Sequence, residues 1–365
     1  MLIAAACVLL LAYANGANDN FKGVASLFGS GVADYRKALN WATAATFAGS
    51  LAALGLSAHL VATFSGKLFV GADTLALPGF PLAVTAACAG TVLLATRLGA
   101  PISTTHALAG SLLGAAYAAP QSLVDWAAAG RQIFLPLALG PLIAVAVALL
   151  IYPLLSQIRQ RLGIHRNSCL CLGETLSPQA DGSALARLSI GSGDTASCAT
   201  RYQGRLMGVS AQRLIDGAHY LSAGLVSFAR GVNDTPKLVA LALMVSPALH
   251  GAGVFTVIGL AIAAGGLFGA RRVAETMAHK ITAMNAGQGL SANLVTAGLV
   301  LSASPLGLPL STTHVSCGAL FGIGAVTRQA RWKTIAGIFA AWLITLPLAA
   351  ALGALMLSAI LRFTA

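Results

Sequence analysis

The sequence predicts an all-α, polytopic membrane protein, and three observations support this fold class. The 365 residues are 57% hydrophobic and only 9% charged, whereas soluble chains carry about a quarter charged residues. Apolar stretches of about 20 residues recur, while the period-two alternation of half-buried strands does not. Several of these stretches are short or interrupted by Gly and Pro at corresponding places in two halves. That pattern indicates discontinuous half-helices.

The apolar segments come in two sets of four, one on each side of a polar region. The first opens the chain without a basic leader, so we predict a retained helix rather than a cleaved signal peptide. Allowing for half-helices, we expect roughly ten to twelve embedded helices. The segments are Leu2–Ala14, Ala38–Phe64, Pro81–Thr96, Ile133–Leu155, Ala218–Phe228, Val254–Gly269, Leu290–Leu301 and Ile335–Ile360.

The polar region divides the chain into residues 1–156 as a first membrane repeat, 157–205 as a polar loop and 206–365 as a second repeat. Six arginines of the loop outnumber Glu174, Asp181 and Asp194, which places the loop in the cytoplasm. Its thiols, with His165, raise a metal site as an alternative. The Cys-x-Cys spacing is not that of zinc sites, so no metal or cofactor is predicted. The thiols are Cys169, Cys171 and Cys198.

The basic residues do not indicate a nucleic-acid partner. The chain has 22 Lys+Arg against 10 Asp+Glu, a net charge of +12. Most lie in short stretches between apolar segments, as the bias for cytoplasmic positive charge predicts. Glu275 with the two arginines before it is most simply an interfacial salt-bridge cluster. We expect interfacial or cytoplasmic anchors at Arg97, Arg230, Arg271, Arg272, Arg328, Arg331 and Lys333.

Two motifs each occur twice and reveal an internal duplication. Gly16–Lys22 (GANDNFK) recurs 215 residues later as Gly231–Lys237 (GVNDTPK). Pro101–His106 (PISTTH) recurs 208 residues later as Pro309–His314 (PLSTTH). Order, spacing and residue type agree in both copies, so one duplicated unit of roughly 150 residues accounts for the chain.

Each Pro-x-Ser-Thr-Thr-His motif predicts the start of a helix. Proline ends any incoming helix, and serine is a favoured N-cap. The first turn then presents hydroxyls and unpaired backbone N–H groups at the positive end of the helix dipole, which is an anion-binding arrangement. Within a membrane these donors need a polar partner. The alternative is two capped helices whose hydroxyls bond only to protein.

The Asn-Asp-x-x-Lys motifs predict charged groups at membrane depth. On a helix Lys22 lies on the same face as Asn18 and Asp19, and the second copy repeats this arrangement. Such residues are costly inside a membrane and usually line a substrate or ion path. The alternative is that each Asp–Lys pair neutralises itself and holds a helix bend. His106 and His314 are candidates for a proton or an anion hydrogen bond, or simply bond to nearby backbone.

These motifs resemble those of the inorganic phosphate transporter (PiT) family. The resemblance implies two inverted repeats around a midplane anion site, cation-coupled symport of phosphate, an extracellular N-terminus and a cytoplasmic central loop. The substrate-binding residues it indicates are Asn18, Asp19, Lys22, Ser103, Thr104, Thr105, Asn233, Asp234, Lys237, Ser311, Thr312 and Thr313.

The sequence departs from the family pattern where a cation would bind. Lys22 and Lys237 stand where the family signature ends in asparagine, and Asn293 stands where sodium-coupled members carry a membrane glutamate. The two lysines balance Asp19 and Asp234 in charge. Attraction between opposite charges is strong in a low-dielectric site. A lysine ammonium there could therefore take the electrostatic role of a bound sodium ion. We therefore expect proton coupling or weak sodium dependence.

The leading prediction is a multi-pass phosphate carrier of the cell (inner) membrane and not an enzyme. Its predicted partners are inorganic phosphate, a coupling cation (proton or sodium) and the lipid bilayer, with a homodimer left open. A carrier of another tetrahedral oxyanion such as sulfate is the nearest alternative, and a channel is a further one. An intramembrane phosphotransferase is disfavoured. Catalysis usually needs distinct acid and base roles at one centre, whereas here the two copies of each motif have the same chemistry.

Overall fold

The computed structural model describes residues 2–120, 122–162, 168–178, 184–194, 207–249 and 251–364. Outside one small sheet, the regular structure of these residues is helical. The predicted class of an all-α membrane protein is confirmed for the two regions that flank the polar insert. The inverted orientation of the repeats stays a prediction, with which the packing described below is consistent.

The first half begins with a long helix that ends inside the first motif. A short 3₁₀ turn, Asn20–Gly23, follows it, and a π turn, Gly130–Phe134, leads into the last helix of this half. The helices are α1 (Leu2–Asp19), α2 (Ala25–Gly29), α3 (Tyr35–Leu56), α4 (Ala58–Phe64), α5 (Ala72–Leu75), α6 (Phe80–Arg97), α7 (Thr104–Tyr117), α8 (Trp126–Ala129) and α9 (Leu135–Arg161).

The second half has its long helices in a corresponding order after the insert. Its π turn, Thr276–Lys280, lies between its second and third long helices, a different place from the π turn of the first half. The helices are α10 (Ala211–Val245), α11 (Ala252–Gly269), α12 (Arg271–Glu275), α13 (Ala286–Ala303), α14 (Thr312–Thr327) and α15 (Trp332–Thr364).

The polar insert differs from the predicted loop, because part of it forms an antiparallel sheet. Strands β1 (Ser168–Pro178), β2 (Ala184–Asp194) and β3 (Met207–Ser210) pair in the order β2-β1-β3. Leucines alternate with other residues in part of β1, and such alternation favours a strand. This sheet is the departure from an all-α chain.

Five helical segments of the described residues are long and apolar enough to cross a membrane, or six if the bent pair α3–α4 is one span. The axes of α3 and α4 meet at 87°, so this span is broken. Large apolar side chains on the outer helices are exposed, such as Leu150 (73% exposed) and Leu343 (77% exposed). Such surfaces suit lipid rather than water. The segments are Leu2–Gly23, Phe80–Arg97, Trp126–Arg161, Ala252–Gly269 and Trp332–Phe363.

This number is lower than the ten to twelve embedded helices that we expect from the sequence. The difference has a physical reason, because the central helices are short or carry the polar motifs. Helices α7 and α14 have 14 and 16 residues, fewer than the ~20 that span a bilayer. Helix α10 holds the charged residues of the second motif.

The helices of the two halves pack in a reciprocal pattern. Helix α1 contacts α11, and its counterpart α10 contacts α3, the counterpart of α11. In the same way α7 packs on α15 while α14 packs on α9. Each half therefore completes the core of the other, as expected for a duplicated unit.

Helices α1 and α11 cross closely because glycine stands at the contact. A Cβ on Gly16 would lie 1.9 Å from the carbonyl oxygen of Ile262. A Cβ on Gly265 would lie 1.9 Å from the carbonyl oxygen of Tyr13. The absence of side chains at these two positions lets the backbones touch, as in closely packed membrane helices.

Equivalent glycines set the direction of the two hydroxyl-rich helices. Gly99 and Gly307 both have positive φ angles, +67° and +70°, which glycine adopts at little cost. Each turn is followed by the proline of its motif and then by α7 or α14. The predicted helix starts at the Ser-Thr-Thr motifs are thus present in both halves.

Outside the membrane core, the start of α3 is capped by an acidic side chain. Asp34 accepts a hydrogen bond from the backbone N–H of Lys37 at 2.9 Å. This bond stabilises the ionised form and lowers the pKa of the Asp34 carboxyl group. It is a local cap on an exposed turn and lies away from the residues of the two motifs.

Candidate anion site

The first Asn-Asp-x-x-Lys motif lies in the protein interior, where α1 ends. Asp19 is 1% exposed and Lys22 is 5% exposed. The Lys22 ammonium donates to the Asp19 carboxylate and, at 2.8 Å, to the side-chain oxygen of Asn18. Asn18 in turn donates to Thr96 at 3.0 Å and to the carbonyl of Ala100 at 3.1 Å. The predicted shared face of the three motif residues is present.

The second motif, within α10, repeats the buried Lys–Asp pair, while its asparagine has different partners. Lys237 Nζ donates to Asp234 Oδ1 at 3.1 Å and to the carbonyl of Leu310 at 3.1 Å. Asn233 Nδ2 donates to the same carboxylate oxygen at 3.0 Å and to the same carbonyl at 3.1 Å. The Asn233 oxygen accepts from Ser304 at 3.4 Å. All of these side chains are buried.

Each lysine also donates a hydrogen bond to the hydroxyl-rich helix of the other half. Lys22 Nζ donates to Thr313 Oγ1 in α14 at 2.8 Å, and Lys237 Nζ donates to Thr105 Oγ1 in α7 at 2.8 Å. Lys22 also donates to the carbonyl of Ile102 at 2.7 Å. Each lysine therefore bonds a threonine of the other half, so the two motif pairs form one cluster.

The first position of each Ser-Thr-Thr sequence is a helix cap. The Ser103 hydroxyl accepts the backbone N–H of His106 at 3.1 Å, and Ser311 accepts that of His314 at 3.2 Å. These bonds satisfy one free N–H in each first turn. The two serines thus perform the capping that the sequence offered as an alternative to anion binding.

The threonines face the charged residues. Thr104 donates to Asp19 Oδ2 at 2.8 Å. Thr313 donates to the carbonyl of Ile102 at 3.0 Å. Thr312 is buried. Thr104, Thr105 and Thr313 therefore belong to the same region as the two Asp–Lys pairs.

Asn15, which sequence analysis missed, lies between the two carboxylates. Its amide nitrogen donates to Asp19 Oδ2 at 3.0 Å, to Thr104 Oγ1 at 3.2 Å and to Asp234 Oδ2 at 3.5 Å. Asn15 is fully buried. It precedes the first motif by one residue and lies four residues before Asp19, on the same helix face. This spacing was the signal that could have identified it.

Arg230 is not the interfacial anchor that we predicted. It is 1% exposed, and its Nη2 atom lies 3.6 Å from Asp234 Oδ2. The sequence prediction is wrong here because Arg230 stands four residues before Asp234 and shares its helix face. The other predicted anchors are exposed, as expected, and Arg271 forms an ion pair with Glu275 at 3.3 Å.

The two histidines meet beside the cluster. Their rings lie 4.3 Å apart between centroids, and the His314 ring stacks on Trp342 at 3.8 Å. His106 Nδ1 lies 3.0 Å from the Ser103 hydroxyl. The pair joins the first turns of α7 and α14 at their point of contact.

A second polar group surrounds Asn293. The Asn293 amide accepts from Ser26 at 3.1 Å and donates to Ser222 at 3.2 Å. The Ser26 hydroxyl also lies 2.9 Å from His219 Nε2. These are neutral partners, so Asn293 forms a hydrogen-bonded contact between α2, α10 and α13.

No cluster of three or more His, Cys, Asp or Glu residues that could hold a metal ion occurs in the part of the chain that the structure describes. Two members of the suggested thiol site, His165 and Cys198, lie outside the described residues. Cys169 and Cys171 belong to β1. The incidental-thiol interpretation stays a prediction.

Buried charges and helix starts from two corresponding halves meet inside an apolar helical shell, and this combination is that of a membrane carrier. The chain belongs to the Phosphate transporter family, whose sequence pattern matches residues 15–353. This is a family of transporters and not of enzymes.

Several named relatives are similar over different lengths. An Arabidopsis thaliana protein, "Inorganic phosphate transporter 2-1, chloroplastic", is 28% identical over 94% of this chain and 69% of its own. A Bacillus subtilis protein, "Probable low-affinity inorganic phosphate transporter", is 25% identical over 96% of this chain and 93% of its own. Proteins named phosphate permeases in Mycobacterium bovis and Mycobacterium tuberculosis are 38% identical over 144 residues. That match spans 37% of this chain but only 26% of theirs, about a quarter of their length.

The fold is also that of a known structure. A sodium-dependent phosphate transporter superimposes with a TM-score of 0.75, covering 100% of this chain and 99% of that chain, at 21% identity. At this identity the likeness concerns the fold, and it agrees with the helical membrane architecture described above.

Proposed function

We propose that this protein is a secondary carrier that moves inorganic phosphate across the cell (inner) membrane. One observation carries the proposal: two Asn-Asp-x-x-Lys motifs and two Ser-Thr-Thr helix starts, from different halves, meet in one buried cluster. The cross-bonds from Lys22 to Thr313 and from Lys237 to Thr105 define that centre. The names of the relatives support phosphate as the cargo.

The cluster has the chemistry of a tetrahedral oxyanion site. Two ammonium groups, several threonine hydroxyls and the positive ends of α7 and α14 face a region from which bulk water is excluded. Such donors stabilise an anion more strongly there than in water, because the local dielectric is low. Arrival of phosphate would exchange protein–protein hydrogen bonds of the lysines and threonines for bonds to the anion.

Two inverted repeats suit transport by alternating access. In such carriers the substrate lies where the repeats meet, and one repeat or bundle rocks against the other around it. The reciprocal packing of α1 on α11 and α10 on α3 supports this arrangement. The substrate-binding roles of the motif residues, the cytoplasmic position of the insert and a homodimer belong to the proposal.

Uptake is coupled to protons or depends weakly on sodium. The two lysines supply positive charge where the family pattern has asparagine, and Asn293 makes neutral hydrogen bonds where sodium-coupled members carry glutamate. The imidazole rings of His106 and His314 lie 4.3 Å apart beside the cluster. They are the candidates for a proton path.

The test is uptake of labelled phosphate into proteoliposomes at zero sodium under an inward proton gradient. We expect saturable uptake with counterflow, which a channel would lack, and no inhibition by excess sulfate. Entry of labelled sulfate without phosphate would overturn the cargo while keeping the fold. A requirement for sodium would overturn the coupling but not the cargo.

A further inference from the structure

The Arg230 side chain has hydrogen-bonding capacity that the protein does not use. Its Nε, Nη1 and Nη2 atoms are buried and have no hydrogen-bond partner among the described residues. The Asp234 oxygen at 3.6 Å neutralises part of its charge but lies beyond hydrogen-bond distance. Buried donors are nearly always satisfied, so a guanidinium left in this state points to a missing acceptor.

The charge of the cluster leads to the same conclusion. Lys22 and Lys237 pair with Asp19 and Asp234, which leaves the positive charge of Arg230 unmatched. An uncompensated charge at membrane depth is expensive, and such residues mark substrate sites. Together these five groups therefore have a net charge of about +1, which attracts an anion.

The position of Arg230 in the first half is taken by Asn15, which also has an unused atom. Both residues stand one place before their motif, 215 residues apart. The Asn15 amide nitrogen and the Arg230 Nη2 atom approach the same oxygen of Asp234. The Asn15 Oδ1 atom is buried without a donor among the described residues. Unused donors and an unused acceptor thus lie close together.

We propose that Arg230 binds the transported anion directly, and that Asn15 Oδ1 accepts a hydrogen bond from the proton that phosphate retains. Arg230 then supplies the charge that a co-transported metal cation would otherwise supply, while Asn15 distinguishes phosphate from sulfate. Sulfate has no O–H group at neutral pH and leaves this acceptor unsatisfied, which costs binding energy. This inference rests on the proposed phosphate transport.

The experiment compares sodium-free uptake by the wild type with Arg230→Gln, Arg230→Lys and the control Arg271→Gln. Arg271 has an 80% exposed side chain and lies outside the cluster. We expect Arg230→Gln to raise the half-saturating phosphate concentration at least about tenfold, since a buried charged hydrogen bond is lost. Arg230→Lys keeps the charge but not the forked geometry. Its half-saturating phosphate concentration should therefore lie between those of the wild type and Arg230→Gln. Arg271→Gln should match the wild type.

The variant Asn15→Ala tests the proposed role of Asn15 in selecting phosphate over sulfate. It should reduce the preference for phosphate over sulfate, measured by competition, more than it reduces the maximal rate. Folding of each variant is followed by thermal unfolding without phosphate. If Arg230→Gln does not fold, Arg230→Lys decides, since the proposal requires weaker phosphate uptake in that variant too.

Unchanged half-saturation in a folded Arg230 variant would overturn the role of Arg230. Unchanged phosphate-to-sulfate selectivity in Asn15→Ala would overturn the role of Asn15. Failure of the wild type to transport phosphate is a different result, because it would remove the proposed function itself.

Discussion

At the scale of single residues, each buried aspartate of the cluster is stabilised by the lysine with which it pairs. Asp19 and Lys22 are almost fully buried and bonded to each other. Removing one partner of a buried pair leaves the other charge uncompensated, whereas replacing both removes the penalty as well as the attraction. The two kinds of substitution therefore separate stability from function.

We predict that Lys22→Met lowers the free energy of unfolding by about 3 to 5 kcal/mol, because Asp19 loses its partner. The double variant Asp19→Asn with Lys22→Met should recover much of that loss but not phosphate uptake. Thermal unfolding of purified protein and uptake in proteoliposomes measure the two effects. Recovery of uptake in the double variant would contradict a direct role for this pair in transport.

A second prediction at this scale concerns the sodium dependence of uptake and the two lysines. Replacing both Lys22 and Lys237 by Asn should reduce sodium-free uptake, and added sodium should restore part of it if the ammonium groups serve as built-in cations. Uptake is measured with and without sodium in the same vesicles. Unchanged sodium-free uptake in this variant would show that the lysines do not replace a cation.

The residues of the cluster were largely predictable, because duplicated motifs identify them without a structure. All twelve predicted substrate-binding residues are buried, and most of them bond to one another. Arg230 was assigned wrongly because a lone arginine beside a membrane segment resembles an interfacial anchor. Asn15 was missed because it stands one residue before the duplicated motif. Comparing the residues before each motif, 215 positions apart, would have brought this unlike pair into view.

At the scale of helices, the serine caps define where α7 and α14 begin. We predict that Ser103→Ala costs about 1 kcal/mol of stability through loss of the cap. Ser103→Thr, which keeps the oxygen, should cost less. Hydrogen exchange at the His106 amide, which donates to Ser103, reports the cap directly. Unchanged protection at His106 in Ser103→Ala would rule out this role.

The close crossing of α1 and α11 gives a further prediction. Gly265→Ala places a methyl group against the backbone of Tyr13, so we expect a loss of about 1 to 3 kcal/mol. Gly298→Ala is the matched control, because nothing lies within 4 Å of a Cβ there. Thermal unfolding of both variants tests the contact. Equal stability of the two would mean that the helices can separate without cost.

Some elements could not be read from apolar periodicity. Helices α7 and α14 were predicted because proline and serine mark their starts. The strands β1 and β2 were not, since the polar insert lacks the continuous alternation of a half-buried sheet. The break between α3 and α4 lies inside one apolar segment, Ala38–Phe64. Gly55 and Ser57 stand at this break, but they do not by themselves predict a bend of 87°.

At the scale of the whole molecule, neither half encloses its own core. Helix α1 needs α11 and helix α9 needs α14. We predict that residues 1–162 and 207–365, co-expressed as separate chains, assemble and take up phosphate, while either chain alone does not. Co-purification and uptake measure this. Uptake by one half alone would contradict the division into two interdependent repeats.

The unlike pair of Asn15 and Arg230 bears on how such a chain arose. A single unit that had to pair with a second copy of itself would carry the same residue at both positions. Two arginines would add a further positive charge to the cluster, and two asparagines would leave it without any surplus. Only after duplication could one copy keep an amide while the other acquired a guanidinium. The difference at these positions is thus a property that a symmetric ancestor of this carrier could not have had.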